Sequence, residues 1–136
     1  MTTTTQAAGT LRSTSWQEEP FAEVEEAPRL SHDRVTHVFA GDLEGEGTWQ
    51  NLNAYLDEAS AEFVGYERVV GRLAGRAGSF VLRVSGTYAA GEARVAWTIV
   101  PGTGTAELRG IRGEGTYVAT GEADDGYRYR LDYSFD

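Results

Sequence analysis

The chain has 136 residues, enough for one domain with a real core, and 40% of them are hydrophobic and 11% aromatic. Twenty-one acidic residues against twelve basic ones give a net charge of −9, which repels nucleic-acid backbones and anionic membrane surfaces. Every basic residue is Arg, which excludes lysine Schiff-base chemistry, and the lack of Cys excludes disulfides, thiolate nucleophiles and thiolate-bound zinc.

Residues 1–9 (MTTTTQAAG) show no periodicity and are expected to form a disordered tail, with a single domain over residues 10–136. The opening residues lack the basic and apolar regions of a signal peptide, and no apolar run reaches membrane-span length, so a cytoplasmic location is expected. Leu11–Trp16 alternates weakly. Gln17–Arg29 carries five Glu and two Pro, and that proline spacing predicts an irregular loop.

From Leu30 onward the sequence reads as strand after strand. Leu30–Ala40 sets Val35, His37 and Phe39 on one side, and Glu44–Leu56 is a second long run. Ala59–Val70 aligns Ala61, Phe63, Gly65, Glu67 and Val69; Ser79–Tyr88 aligns Phe80, Leu82, Val84, Gly86 and Tyr88. In Gly91–Val100, Ala93, Val95, Trp97 and Ile99 share a face. The last strand places Tyr127, Tyr129, Leu131, Tyr133 and Phe135 opposite Arg128, Arg130, Asp132 and Ser134. Each of these patterns has period two, and no window supports a long helix.

Ala90-Gly91, Pro101-Gly102 and Asp124-Asp125-Gly126 have turn chemistry, so consecutive strands are expected to pair antiparallel. Gly41-Asp-Leu-Glu-Gly45, Gly71-Arg-Leu-Ala-Gly75 and Ala106-Glu-Leu-Arg-Gly110 form a weak internal repeat. A phosphate loop would need a Lys and a following helix, so the Gly-rich stretch Pro101–Tyr117 reads as a corner of a bent sheet. Together these features predict an all-β fold, a single closed antiparallel barrel of about eight strands.

Ser15-Trp16-Gln-Glu-Glu-Pro20, Phe39-Ala-Gly-Asp-Leu-Glu-Gly45, Phe63-Val-Gly-Tyr-Glu-Arg68, Gly78-Ser-Phe80 and Trp97-Thr-Ile-Val-Pro-Gly-Thr-Gly104 together resemble a bacterial family of unknown function. Its members are similar in fold to the plant allene oxide cyclases. The resemblance covers Leu11 to the C-terminus and implies an allene-oxide-cyclase-like, lipocalin-like barrel that assembles into homo-oligomers. It implies no particular catalytic residues.

Glu67 shares the inward parity of Phe63, where a desolvated carboxylate would have a raised pKa suited to acid–base work; the structural alternative is a buried pair with Arg68 or Arg83. Glu114, with Glu44 and Glu46, lies in the Gly-rich repeats; facing inward, Glu46 and Glu114 would form a carboxylate cluster with Glu67, but the favoured reading is a solvated acidic face, because charged groups are rarely buried unpaired. His37 falls on the side of Val35 and Phe39, placed for proton transfer or as a hydrogen-bonded core group. His32 and His37 lack the surrounding carboxylates of a metal site, so no metal is expected. Phe63, Phe80, Trp97, Tyr129, Tyr133 and Trp16 are expected to line a lumen that holds one small apolar or amphipathic molecule.

No nucleophile elbow or Ser-His-Asp order is present. Two functions follow. The resemblance implies a cofactor-independent cyclase or isomerase that holds a reactive molecule in a fixed conformation. The alternative is a non-catalytic, lipocalin-like binding protein. Neither reading invokes a nucleic acid or a membrane as partner.

Overall fold

Alternating inward and outward side chains over eight long strands leave this chain one economical way to bury its apolar face, which is to curl the sheet until its edges meet. The computed structural model, which describes residues 3–121 and 126–136, shows that closure. Its strands are β1 (Thr5–Phe21), β2 (Leu30–Gly41), β3 (Leu43–Asp57), β4 (Ser60–Leu73), β5 (Arg76–Ala89), β6 (Glu92–Ile99), β7 (Ile111–Thr120) and β8 (Tyr127–Phe135). They pair in sequence order, all antiparallel, and β1 closes the barrel by pairing with β8 through Thr5↔Tyr133 to Leu11↔Tyr127. The all-β closed barrel and the low helix content expected from the sequence are both present. One short 3-10 helix (Ala106–Leu108) precedes β7.

The inward parities read from β2, β4, β5, β6 and β8 hold, with Phe39, Val69, Leu82, Trp97 and Leu131 all buried. The N-terminal segment departs from expectation. Strand β1 starts at Thr5, inside the expected tail, and runs through Phe21, well into the expected loop. Backbone pairing decides this: Thr5–Leu11 is needed to satisfy β8, and Gln17–Phe21 pairs with Arg34–Leu30 despite its acidic, proline-bearing sequence. A bulge at Thr14 also resets the parity of β1. Ala7 and Leu11 are buried before it, and Trp16 and Glu18 turn toward the lumen after it.

Within the glycine repeats, Gly75 is a positive-φ turn residue with open space around it, whereas Gly45 and Gly71 are close-approach points. Gly45 and Gly71 lie opposite each other across β3 and β4, where a Cβ on either would run into the carbonyl oxygen of Val70 or Glu44. Of the expected Asp124-Asp125-Gly126 turn, Asp124 and Asp125 lie outside the described residues. The end of the barrel that carries the β2–β3 and β4–β5 turns is filled by Leu11, Leu43, Leu73, Leu108 and Ile111, each about 1% exposed. Tyr129 reaches across this end; its hydroxyl accepts the Leu43 N–H at 3.0 Å and donates toward the Ala40 carbonyl at 3.1 Å. At the other end the described residues leave a cavity.

Candidate functional site

The cavity at that end of the barrel measures about 440 Å³, within the usual range of small-molecule sites. It lies between the starts of β2, β4, β6 and β8 and the ends of β1, β3, β5 and β7. One wall is apolar and is built from Ala61, Phe63, Ala93, Val95 and Tyr117. The facing wall is polar, built from Glu18, Asp33, Asn51, Asn53 and Tyr55 on β1, β2 and β3. His37 forms part of the floor.

His37 is one half of a buried pair. His37 Nδ1 stands 2.7 Å from Glu67 Oε2, with the two side chains 2% and 0% exposed. The pairing depends on the strand between them. Glu67 is on β4 and His37 on β2; β3 separates them and contributes Gly47, which pairs with His37 on one side and Val69 on the other. Two strands stand roughly 9–10 Å apart at neighbour spacings of about 4.8 Å, a span that Glu67 crosses by lying over a residue with no side chain. A Cβ at Gly47 would collide with Glu67 Oε2 and approach Phe39 Cε2 within 2.8 Å.

With Glu67 as a carboxylate, which can only accept, the contact would place a proton on His37 Nδ1 and leave Nε2 as the basic nitrogen. Among the described residues no protein group bonds Nε2, and the ring lines the cavity. The imidazole is held by rings on both sides: it stacks on Trp49 at 5.7 Å and meets the edge of Phe39 at 6.0 Å. Glu67 Oε1 has no partner. A buried carboxylate left half-satisfied costs several kcal/mol, so this pair is a weak stability device. Burial pushes the Tyr117 phenol far above its ordinary range, and the nearby Glu67 charge adds to the shift, so Tyr117 faces the cavity as a neutral group.

The polar wall is a connected network. Asn53 Nδ2 donates to Ser31 Oγ at 3.0 Å and to Asp33 Oδ2 at 2.8 Å, and Asn51 Nδ2 donates to Asp33 Oδ2 at 3.1 Å. Toward the mouth, the Tyr55 hydroxyl donates to Glu18 Oε2 at 2.7 Å, and Ser31 donates to the same oxygen at 2.5 Å. Burial raises the Glu18 pKa, but these two hydrogen bonds and the Arg29 charge outweigh it and hold the carboxyl below its ordinary range. Asp33 Oδ1 and Asn51 Oδ1 are buried without partners.

The residues singled out from the sequence land in different places. Glu67 and His37, considered separately, form one unit; the partner of Glu67 is His37, and Arg68 and Arg83 point outward to solvent. Phe63 and Trp16 line the cavity. Phe80, Trp97 and Tyr129 do not: they are packed solid, Trp97 against Phe39, Tyr117 and Tyr129, because the lower half of the lumen is filled. Tyr133 borders a separate shallow depression at the far end, together with Glu114. Glu114, Glu44 and Glu46 are exposed on the outer face, as in the solvated acidic face favoured from the sequence, so Glu114 forms no lumenal carboxylate cluster with Glu67.

The polar wall went unread, although Ser31 and Asp33 continue the parity of Val35 and His37 and were open to that extension. Among the described residues no group of three potential ligands could hold a metal ion, and no helix is long and apolar enough to cross a membrane.

No curated protein matches this chain. Its fold matches the 1.84 Å crystal structure of a protein with unknown function from the DUF3224 family of Shewanella oneidensis MR-1. The TM-score is 0.79 at 27% identity, covering 98% of this chain and 99% of that one. Residues 7–133 match the model of the same family, described as a protein of unknown function. With nearly its whole length inside that match, the chain belongs to the DUF3224 family.

Proposed function

We propose that this barrel is a cofactor-independent isomerase or cyclase that moves a proton on a small amphipathic molecule held in its cavity. The observation that carries this reading is the His37 Nδ1–Glu67 Oε2 contact of 2.7 Å at the cavity floor. A histidine held by a buried carboxylate on the lining of a cavity is an arrangement suited to general acid–base catalysis. His37 Nε2 takes a proton from one carbon of the bound molecule and returns it at another, while Glu67 stabilises the imidazolium formed in between. The apolar wall excludes water and fixes the conformation in which the transfer occurs.

Deuterium uptake from D2O tests this. Small β,γ-unsaturated ketones incubated with the protein report proton transfer by mass spectrometry, whatever the natural substrate. The wild type is expected to exchange and conjugate at least one of them, with His37→Gln and Glu67→Gln at least tenfold slower and probe affinity retained. Equal rates in the three proteins would remove the pair from the chemistry. A second reading, binding without turnover, draws on the polar wall, whose buried unpartnered oxygens suit recognition more than reaction. It is supported if native mass spectrometry finds a co-purified molecule while the exchange assay stays at background.

A further inference from the structure

We infer that the cavity selects a cationic amphiphile, a primary or secondary ammonium on an apolar body, with Asp33 and Asn51 as the ammonium site. This inference rests on the cavity being a small-molecule site. Asp33 and Asn51 are cross-strand neighbours, 2% and 1% exposed, and both line the cavity. Asp33 Oδ2 already accepts from both asparagines, and the Asn51 amide nitrogen already donates to Asp33 and Asn53. What remains is one acceptor oxygen on each residue, Asp33 Oδ1 and Asn51 Oδ1, both without a donor. Buried acceptors left unpaired are costly, and two adjacent ones call for a group with several N–H donors and a positive charge.

The surroundings point the same way. Glu18, Asp33 and Glu58 put carboxylates on the lining, and Arg29, the one arginine on it among the described residues, is committed at the mouth, stacked 4.1 Å over Tyr55 and 3.8 Å from Glu18. A carboxylate or phosphate ligand would meet charge of its own sign. Trp16, Trp49, Tyr88 and Tyr117 put aromatic rings on the lining, and such rings attract a cation placed over them. The apolar wall from Ala61 to Val95 then receives the rest of the ligand. Asp33 and His37 are four residues apart on one face of β2, about 13 Å of strand, so an anchored ammonium lets the far end of a molecule of roughly that length reach His37.

Three probes with one skeleton, 4-phenylbutylamine, 4-phenylbutanol and 4-phenylbutyrate, test the inference by calorimetric titration at neutral pH. The amine is expected to bind at least tenfold tighter than the alcohol, and the acid weakest. In Asp33→Asn the amine should lose at least tenfold while the alcohol stays within twofold. If the alcohol or acid equals the amine in the wild type, the inference is overturned even where Asp33→Asn fails to fold. Ala93→Trp, which fills the cavity, separates the two ideas. Loss of all binding in that variant with no preference among probes keeps the cavity and removes only the ligand class. Binding that survives Ala93→Trp, or no binding of any probe to the wild type, removes the cavity reading and the inference with it.

Discussion

Gly47 is where a single absent methyl decides the geometry of the pair. Its backbone is ordinary strand, so an alanine there is not strained in itself; it collides with the Glu67 carboxylate. Gly47→Ala is therefore expected to push Glu67 off His37 while the barrel stays closed, with unfolding free energy reduced by about 1–3 kcal/mol, the usual size of an overpacking effect. Proton NMR checks it: the downfield Nδ1–H signal of His37 should disappear, and its persistence would mean the pair tolerates a Cβ at that position. This is also where the sequence stops being legible. Parity alone placed His37 and Glu67 inside, but their contact spans three strands. It depends on a register that aligns Gly47 with His37, and no local pattern in any of those strands encodes it.

At the scale of the strand, β1 shows what a bulge conceals. Alternation cannot be counted through Thr14, whose hydroxyl bonds the Thr36 hydroxyl at 2.6 Å while the ladder slips by one residue. Trp16 and Glu18 face inward only because of that slip, which is why an acidic run reads as loop and proves to be wall. Glu18 then gives the mouth a pH dependence. Its carboxyl is more acidic in the folded chain than in the unfolded one, so its stabilising share is complete above the ordinary carboxylate range, near 4.3, and is lost as pH falls through the lower folded value. Glu18→Gln should lower stability at pH 7 by about 1 kcal/mol or less, since the side chain is 34% exposed and solvent screens the Arg29 pair. Urea unfolding at pH 7 and pH 3 reads the difference, which should shrink at the lower pH; a gap of constant size would argue against Glu18 as the group responsible.

For the whole molecule, the barrel divides into a filled half and a hollow half. Period-two alternation made the closed barrel legible, because burying one face of so many strands leaves few other shapes. The division was not legible, because large aromatic residues serve both halves. Trp97 and Tyr129 fill one, Trp16 and Phe63 line the other, and their sequence contexts are alike. Only height along the barrel axis separates them, and that is fixed by register and by the Tyr129 hydroxyl clamped to the β2–β3 turn.

The seam between β1 and β8 has a consequence for how the molecule is made. During translation β1 emerges ahead of every other strand, and its ladder partner over Thr5–Leu11 emerges after all of them. Until then the nascent sheet has two bare edges, the condition in which strands recruit strands from neighbouring chains. A chain ending at Gly121, which lacks β8, should therefore appear in the insoluble fraction or lose cooperative thermal unfolding, and a separately added β8 peptide should restore both. A soluble, cooperatively unfolding truncation would show that seven strands can close without the eighth. If the seam is required, ribosome and chaperone must hold the earlier strands apart until the one that completes the ring has been made.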